Sequence, residues 1–390
     1  MPINLLVASS DEHFREMVRE NLLNQPNSKL VAEYPEVSSN LYIRVLQDLE
    51  RRPDSALFVD LAGDPEACLK ALEKVKQAAP DLYVLAANYA ADAETVVHAV
   101  RCGANDFLTL PLRRSEFREA MARLERTPRR AAVAASRLGR IYSFVGAKGG
   151  VGTTTLAVNF AAVLAQRKQN TVLIDIDWTA NDVAMHIGAA PQHSLVDVGE
   201  NLSRMDQALF EGFVARDPLG FYFVGPPDGM EHRGYFTETM FREFATFLVE
   251  KYEAIIIDAG CDIANELNLT ALQSSSAIFL VMEQDYPSIR NAQRYISYLM
   301  RMGFTQDQIR VVINRYTRKP TQNQASLDQI KQTLNQDIFF GVPSSPAVLA
   351  AINRARPFVV DREAAGDLDR TFRAFVDKGA GRKKPDEGAQ

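Results

Sequence analysis

Residues 141–164, IYSFVGAKGGVGTTTLAVNFAAVL, restrict what this chain can fold into more than any other stretch. Ile141, Tyr142, Phe144 and Val145 form an apolar run that reads as a buried strand. The glycines between 146 and 152 let several backbone N–H groups converge on one anion, and Thr153 opens a helix whose dipole favours the same charge. Strand, glycine-rich loop and helix in that order make a cradle for phosphate.

One part of the usual P-loop is absent. The common pattern places a lysine directly before its Ser/Thr, whereas Gly152 is followed by Thr153, Thr154 and Thr155. A lysine stands earlier, at Lys148, ahead of Gly149 and Gly150. This arrangement resembles the deviant P-loop of the MinD/ParA family, whose pattern is KGGxGK[ST]. The resemblance implies that ATP and Mg2+ bind over Lys148, Gly149, Gly150, Val151, Gly152, Thr153, Thr154 and Thr155. It also implies that Lys148 reaches across a homodimer to the partner's nucleotide. Thr153 then takes the place of the second lysine, and Thr154 supplies the hydroxyl that ligates magnesium.

A chain of 390 residues is long enough for two domains with cores of their own. Its 46% hydrophobic and 24% charged residues are those of an ordinary globular protein, and a net charge of −5 argues against a chain that is basic throughout. Cys68, Cys102 and Cys261 lack metal-ligand spacing and read as reduced thiols, with the cytoplasm as the default compartment. No apolar run approaches the roughly 18 residues of a spanning helix.

Before the cradle, short apolar runs alternate with helical patterns. Ile3 to Ala8, Ala56 to Leu61, Tyr83 to Ala87 and Asp106 to Leu110 read as strands. Between and after them, Phe14 to Leu22, Leu69 to Val75, Val96 to Val100 and Glu116 to Leu124 read as helices. Such alternation predicts a parallel sheet covered on both faces. With the phrase GANDFLTLPL at 103–112, residues 1–125 resemble the receiver domains of two-component response regulators. The resemblance puts Asp60 on the phosphoacceptor position. It puts Ser9 and Ser10 on the acidic pair, with Asp11 nearby, Ala86 on the Ser/Thr and Leu110 on the lysine. Phosphoryl transfer to a carboxylate needs a metal and cations. These replacements favour a degenerate receiver used for docking or dimerisation over one phosphorylated at Asp60.

Residues 126–139 read as a basic linker; nine arginines and three glutamates lie between Arg113 and Arg140. Such a run is a solvated tether or a contact for anionic lipid or nucleic acid. Beyond it, residues 140–380 carry further strand ends. TVLIDID at 171–177 ends in Asp175 and Asp177, read as pointing to opposite sides of an extended chain. AIIIDAG at 254–260 ends in Asp258, and RVVINRY at 310–316 contains Asn314 and Arg315. In the MinD/ParA resemblance Asp177 orients the attacking water, while Asp175 and Asp258 join Thr154 at the metal. Asn314 and Arg315 read adenine, and the segment 341–360 is a base-side loop with Pro343 beside the base. Ser276 to Met282 and Ile309 to Ile313 are read as completing this sheet. Phe372, Phe375 and Val376 are read as packing on the domain, and residues 381–390 as a polar tail.

The fold class that follows is α/β, two doubly wound parallel-sheet domains: a flavodoxin-like receiver, then a MinD/ParA-like P-loop NTPase. That combination resembles the CpaE/TadZ group of type IVc (Flp/Tad) pilus assembly proteins. It implies an ATP-binding dimer with slow or absent hydrolysis, recruited to the inner membrane or cell pole. Its implied partners are the pilus secretion ATPase and other assembly components, with membrane-surface association through partners and no nucleic acid. The alternative is a ParA-like ATPase of DNA or cargo partition.

Overall fold

A computed structural model describes residues 3–380 except 24, 26, 36, 38–40, 90–91, 128–137, 190, 229–233, 319 and 322–323. The basic linker therefore falls mainly, and the tail wholly, outside the described residues. The chain divides into two compact units, residues 1–137 and 138–390.

In the first unit β1 (Ile3–Ala8), α1 (Glu12–Leu22), β2 (Ser28–Tyr34), α2 (Leu41–Arg51), β3 (Ser55–Asp60), α3 (Pro65–Ala78), β4 (Val84–Asn88), α4 (Ala93–Arg101), β5 (Asp106–Thr109) and α5 (Arg114–Arg126) alternate. The strands pair in parallel in the order β2-β1-β3-β4-β5, that of flavodoxin-like sheets. Central β3 is buried at every position, as a strand covered on both faces must be. The reading from apolar runs passes over β2 and α2. β2 is an edge strand that buries only Ala32 and Tyr34, so no continuous apolar run marks it. Asp11, Asp64 and Asp92 begin α1, α3 and α4 by accepting backbone N–H groups of the first turn.

The second unit runs through β6 (Arg140–Gly146), α6 (Thr153–Gln166), β7 (Thr171–Asp175), α7 (Val183–Ile187), α8 (Leu195–Asn201), α9 (Gln207–Phe213), β8 (Ala215–Arg216), β9 (Tyr222–Val224) and α10 (Glu238–Lys251). It continues through β10 (Ala254–Asp258), α11 (Glu266–Gln273), β11 (Ala277–Met282), α12 (Tyr286–Arg301), β12 (Ile309–Tyr316), α13 (Leu327–Leu334), β13 (Ile338–Pro343), α14 (Pro346–Asn353), α15 (Arg362–Ala365) and α16 (Asp367–Ala380). Eight strands form one sheet in the order β13-β12-β11-β6-β10-β7-β9-β8. All neighbours are parallel except β8 against β9.

Three expectations change here. The sheet does not stop at β12, because IFFGVP adds β13 as a half-buried edge strand. The segment 341–360 is therefore the end of β13 and the helix α14 rather than one loop. The strand after α6 ends at Asp175, so Asp177 lies in the turn beyond it. Asp175 and Asp177 are thus not opposed on one extended chain, and residues two apart on a strand share a face in any case.

Helix α6, TTTLAVNFAAVLAQ, has no polar face and is buried almost along its whole length, which only a helix enclosed by other layers tolerates. Phe160 from α6 meets Phe144 of β6, Phe279 of β11 and Phe375 of α16 at ring separations of 5.3, 5.4 and 5.6 Å. Each fully buried ring contributes about 1.5–3 kcal/mol of apolar burial. Phe372, Phe375 and Val376 are fully buried, so α16 packs on the sheet. Among the described residues no helix is long and apolar enough to cross a membrane.

Candidate functional site

Ligands of doubly wound sheets bind beyond the carboxyl ends of strands, where the strand order reverses. In the second unit the chain leaves β6 for β7, and later returns to place β10 between them and β11 on the far side of β6. The loop 147–152, Asp175 and Asp258 all stand at that crevice.

Gly150 and Gly152 have φ of +78° and +89°, a region that L side chains avoid. A Cβ on Gly152 would also collide with Asn314 Nδ2, whereas Gly149 and Gly150 face open space. Asn314 donates Nδ2–H to the Val151 carbonyl at 2.7 Å. The end of β12 thus holds the loop from one side. Thr153 and Thr155 are buried in the first turn of α6. Thr155 Oγ1 lies 3.3 Å from His186 Nε2 on α7, and His186 Nδ1 is 2.9 Å from the Asp182 carbonyl. A carbonyl only accepts, so Nδ1 carries the proton. In the neutral ring, Thr155 donates to Nε2.

The carboxylates are unequal. Asp175 Oδ1 accepts the Asp177 N–H at 2.8 Å and Oδ2 the Val183 N–H at 3.4 Å. Asp258 accepts the Gly260 N–H on Oδ1 at 3.3 Å, while its Oδ2 is buried without a hydrogen-bond partner. Burial raises the pKa of both, that of Asp175 further by the charge of Asp258. The Thr154 hydroxyl is near enough to Asp258 to oppose the rise. An orphaned carboxylate oxygen beside a hydroxyl at a helix N-terminus fits a hydrated Mg2+, which keeps waters and takes phosphate oxygens. Among the described residues there is no cluster of three or more His, Cys, Asp or Glu that could hold a metal. Asp177 accepts the Thr179 N–H at 2.9 Å and presses on Gly260, where a Cβ would overlap its carboxylate. Gly260, at φ +60°, is therefore required twice over.

Lys148 Nζ lies 2.8 Å from Asp285 Oδ2, in the turn that leads from β11 into α12. Arg315, at φ +50°, pairs with Glu283 of the same turn. Pro343 ends β13, in register with Tyr316. The P-loop, both aspartate turns and Asn314 are thus together. Arg315 and Pro343 belong to the neighbouring strand ends. Sequence reasoning missed Asp285 and His186. Asp285 was visible only as the cap of a helix, D-Y-P-S, and His186 carried no signal at all.

A family model described as the CobQ/CobB/MinD/ParA nucleotide binding domain matches residues 142–358, more than half of the chain and all of the crevice just described. The chain belongs to this family. The septum site-determining protein MinD of Thermotoga maritima is 25% identical over 224 residues, 56% of this chain and 81% of that protein. A ParA family ATPase from Chlorobium tepidum has the same fold at a TM-score of 0.56 and 20% identity, covering 62% of this chain and 98% of the other. MinD from Pyrococcus horikoshii, solved in complex with Mg-ADP, aligns at a TM-score of 0.53 and 19% identity, over 63% and 100%.

In the first unit the corresponding strand ends are closed. Ser9 Oγ donates to Asp60 Oδ2 at 2.7 Å, and the Ala62 N–H to Asp60 Oδ1 at 2.8 Å. Asp60 is 4% exposed. Asp11 caps α1, its Oδ1 accepting the His13 N–H, Ala86 lies within β4 and Leu110 is buried.

Proposed function

We propose that the chain is an ATP-binding, dimerising localisation and assembly factor for type IVc (Flp/Tad) pili, with slow or absent hydrolysis. The observation that carries the proposal is the pairing of two units. A flavodoxin-like unit with a sealed Asp60 precedes a MinD/ParA-family unit that keeps Lys148 and has Thr153 in place of the P-loop lysine. Lys148, Thr154, Asp258 and the loop N–H groups bind Mg-ATP. Asp175 supports the metal, Asp177 orients water, and Asn314 and Arg315 contact the base. Bound Mg2+ neutralises phosphate charge, and this chain's residues position it. A P-loop cation stabilises the transition state by several kcal/mol, about 10²–10³ in rate, so Thr153 leaves binding while slowing turnover.

In this reading the dimer marks the assembly site at the inner membrane or pole and recruits the secretion ATPase, with the first unit as a docking module. Sedimentation of the full chain with and without ATP and Mg2+, repeated for Lys148→Ala, tests it. ATP converts monomer to dimer and Lys148→Ala abolishes the conversion. A mass indifferent to ATP would overturn the nucleotide switch. Retention on duplex DNA that weakens with salt would favour partition instead.

A further inference from the structure

Lys148 is already engaged in the free chain. Its Nζ meets Asp285 Oδ2 at 2.8 Å across 137 residues of sequence, because β6, which leads to Lys148, lies beside β11, which leads to Asp285. Asp285 is rigidly set. Its Oδ1 accepts the Ser288 N–H at 2.8 Å as the cap of α12, and the Ser288 hydroxyl in turn accepts the Glu283 N–H at 3.0 Å. The other acid of the turn, Glu283, is taken by Arg315. Both side chains of the pair are about one-third exposed, 34% and 31%. The contact is thus loose enough to break and ordered enough to decide where Lys148 rests. Burial of Asp285 works against its charge, but hydrogen bonds from Lys148 and the Ser288 N–H outweigh it and hold the carboxyl below its usual range.

We propose that Asp285 is a positioning residue that holds Lys148 at home in the nucleotide-free chain, so that the lysine must leave Asp285 before it serves a second copy's nucleotide. This rests on the dimerisation reading above. A partly exposed ion pair weights the engaged lysine by about two- to fivefold. Two copies must each release one lysine, so the weight enters the dimerisation constant twice, about 4- to 25-fold. Asp285 is then a brake that sets how much protein and ATP are needed to assemble the dimer.

Asp285→Asn is the informative variant, because asparagine keeps the helix cap and removes only the charge. Two measurements on the full chain decide the matter. The first is the acetylation rate of Lys148 without nucleotide, read by peptide mass spectrometry against Lys251 as internal reference. Asp285→Asn raises it about two- to fivefold; equal rates would overturn the proposal whatever nucleotide does. The second is sedimentation across a protein concentration series with ATP and Mg2+. Asp285→Asn lowers the midpoint about 4- to 25-fold. An unchanged or raised midpoint would overturn the brake. If the wild-type chain stays monomeric in every condition, the dimerisation reading falls and the brake falls with it. The acetylation rates still report separately whether Asp285 holds Lys148.

Discussion

Two strand ends of this molecule look alike in sequence and differ in chemistry. Asp60 closes LFVD and Asp258 closes AIIID, each on a fully buried strand of a doubly wound sheet. Asp60 has both oxygens occupied, by the Ser9 hydroxyl and the Ala62 N–H. Asp258 has one oxygen buried with no partner. A buried carboxylate is costly unless its acceptors are filled. The first unit fills them from within. The second leaves one open beside Thr154 and a glycine-rich loop, a deficit that a hydrated cation would make good in the proposed function. A fold does not fix a function; here two similar strand ends differ in the hydrogen bonding of one carboxylate oxygen.

The comparison can be broken most severely at Thr153. Thr153→Lys restores the P-loop cation and raises ATP turnover by about 10²–10³, read as phosphate release. An unchanged rate would mean that another group limits the chemistry. Next in size, Asp258→Asn weakens the dependence of nucleotide binding on Mg2+ by about 10- to 100-fold, read by calorimetry. The same variant raises the melting temperature of the nucleotide-free chain above about pH 7, since it removes a buried charge whose desolvation is costly.

The same asymmetry sets a pH dependence. Asp175 and Asp258 have folded-state values above their unfolded ones of about 3.9, that of Asp258 reaching about 7. The folded chain therefore binds protons more tightly than the unfolded one. Their contribution to stability is greatest below about pH 4 and declines as pH rises through the folded values. Urea titrations of the nucleotide-free chain show this decline, and Asp258→Asn flattens it. The smallest effect is at the sealed end. Ser9→Ala leaves Asp60 Oδ2 short of one donor and costs about 1–3 kcal/mol. Acetyl phosphate labels neither the wild type nor this variant, because Asp11 caps α1 and Leu110 supplies no cation.

Much of this was legible in the chain. Continuous apolar runs such as VLID and AIIID announce central parallel strands, and the glycines at 150 and 152 announce a loop of left-handed backbone. Edge elements were harder. β2 and β13 are half-buried, and nothing in SKLVAEY or IFFGVP separates an edge strand from a loop by hydropathy alone. The site itself was only half visible. Asp175 and Asp258 could be read as strand ends, but their different hydrogen-bonding could not. The partnership of Lys148 with Asp285 spans 137 residues. It arises from the adjacency of β6 and β11, which is a property of the sheet order and not of either segment.

Hydrogen exchange of the full chain, with and without ATP and Mg2+, tests most directly the claim that one strand end is open and the other sealed. ATP with Mg2+ slows exchange in peptides spanning 145–156 and 256–262 and leaves 5–11 and 57–62 unchanged, and acetyl phosphate with Mg2+ changes neither of the latter two. Absence of protection over 145–156 with ATP, or protection at 57–62 with acetyl phosphate, would contradict the account.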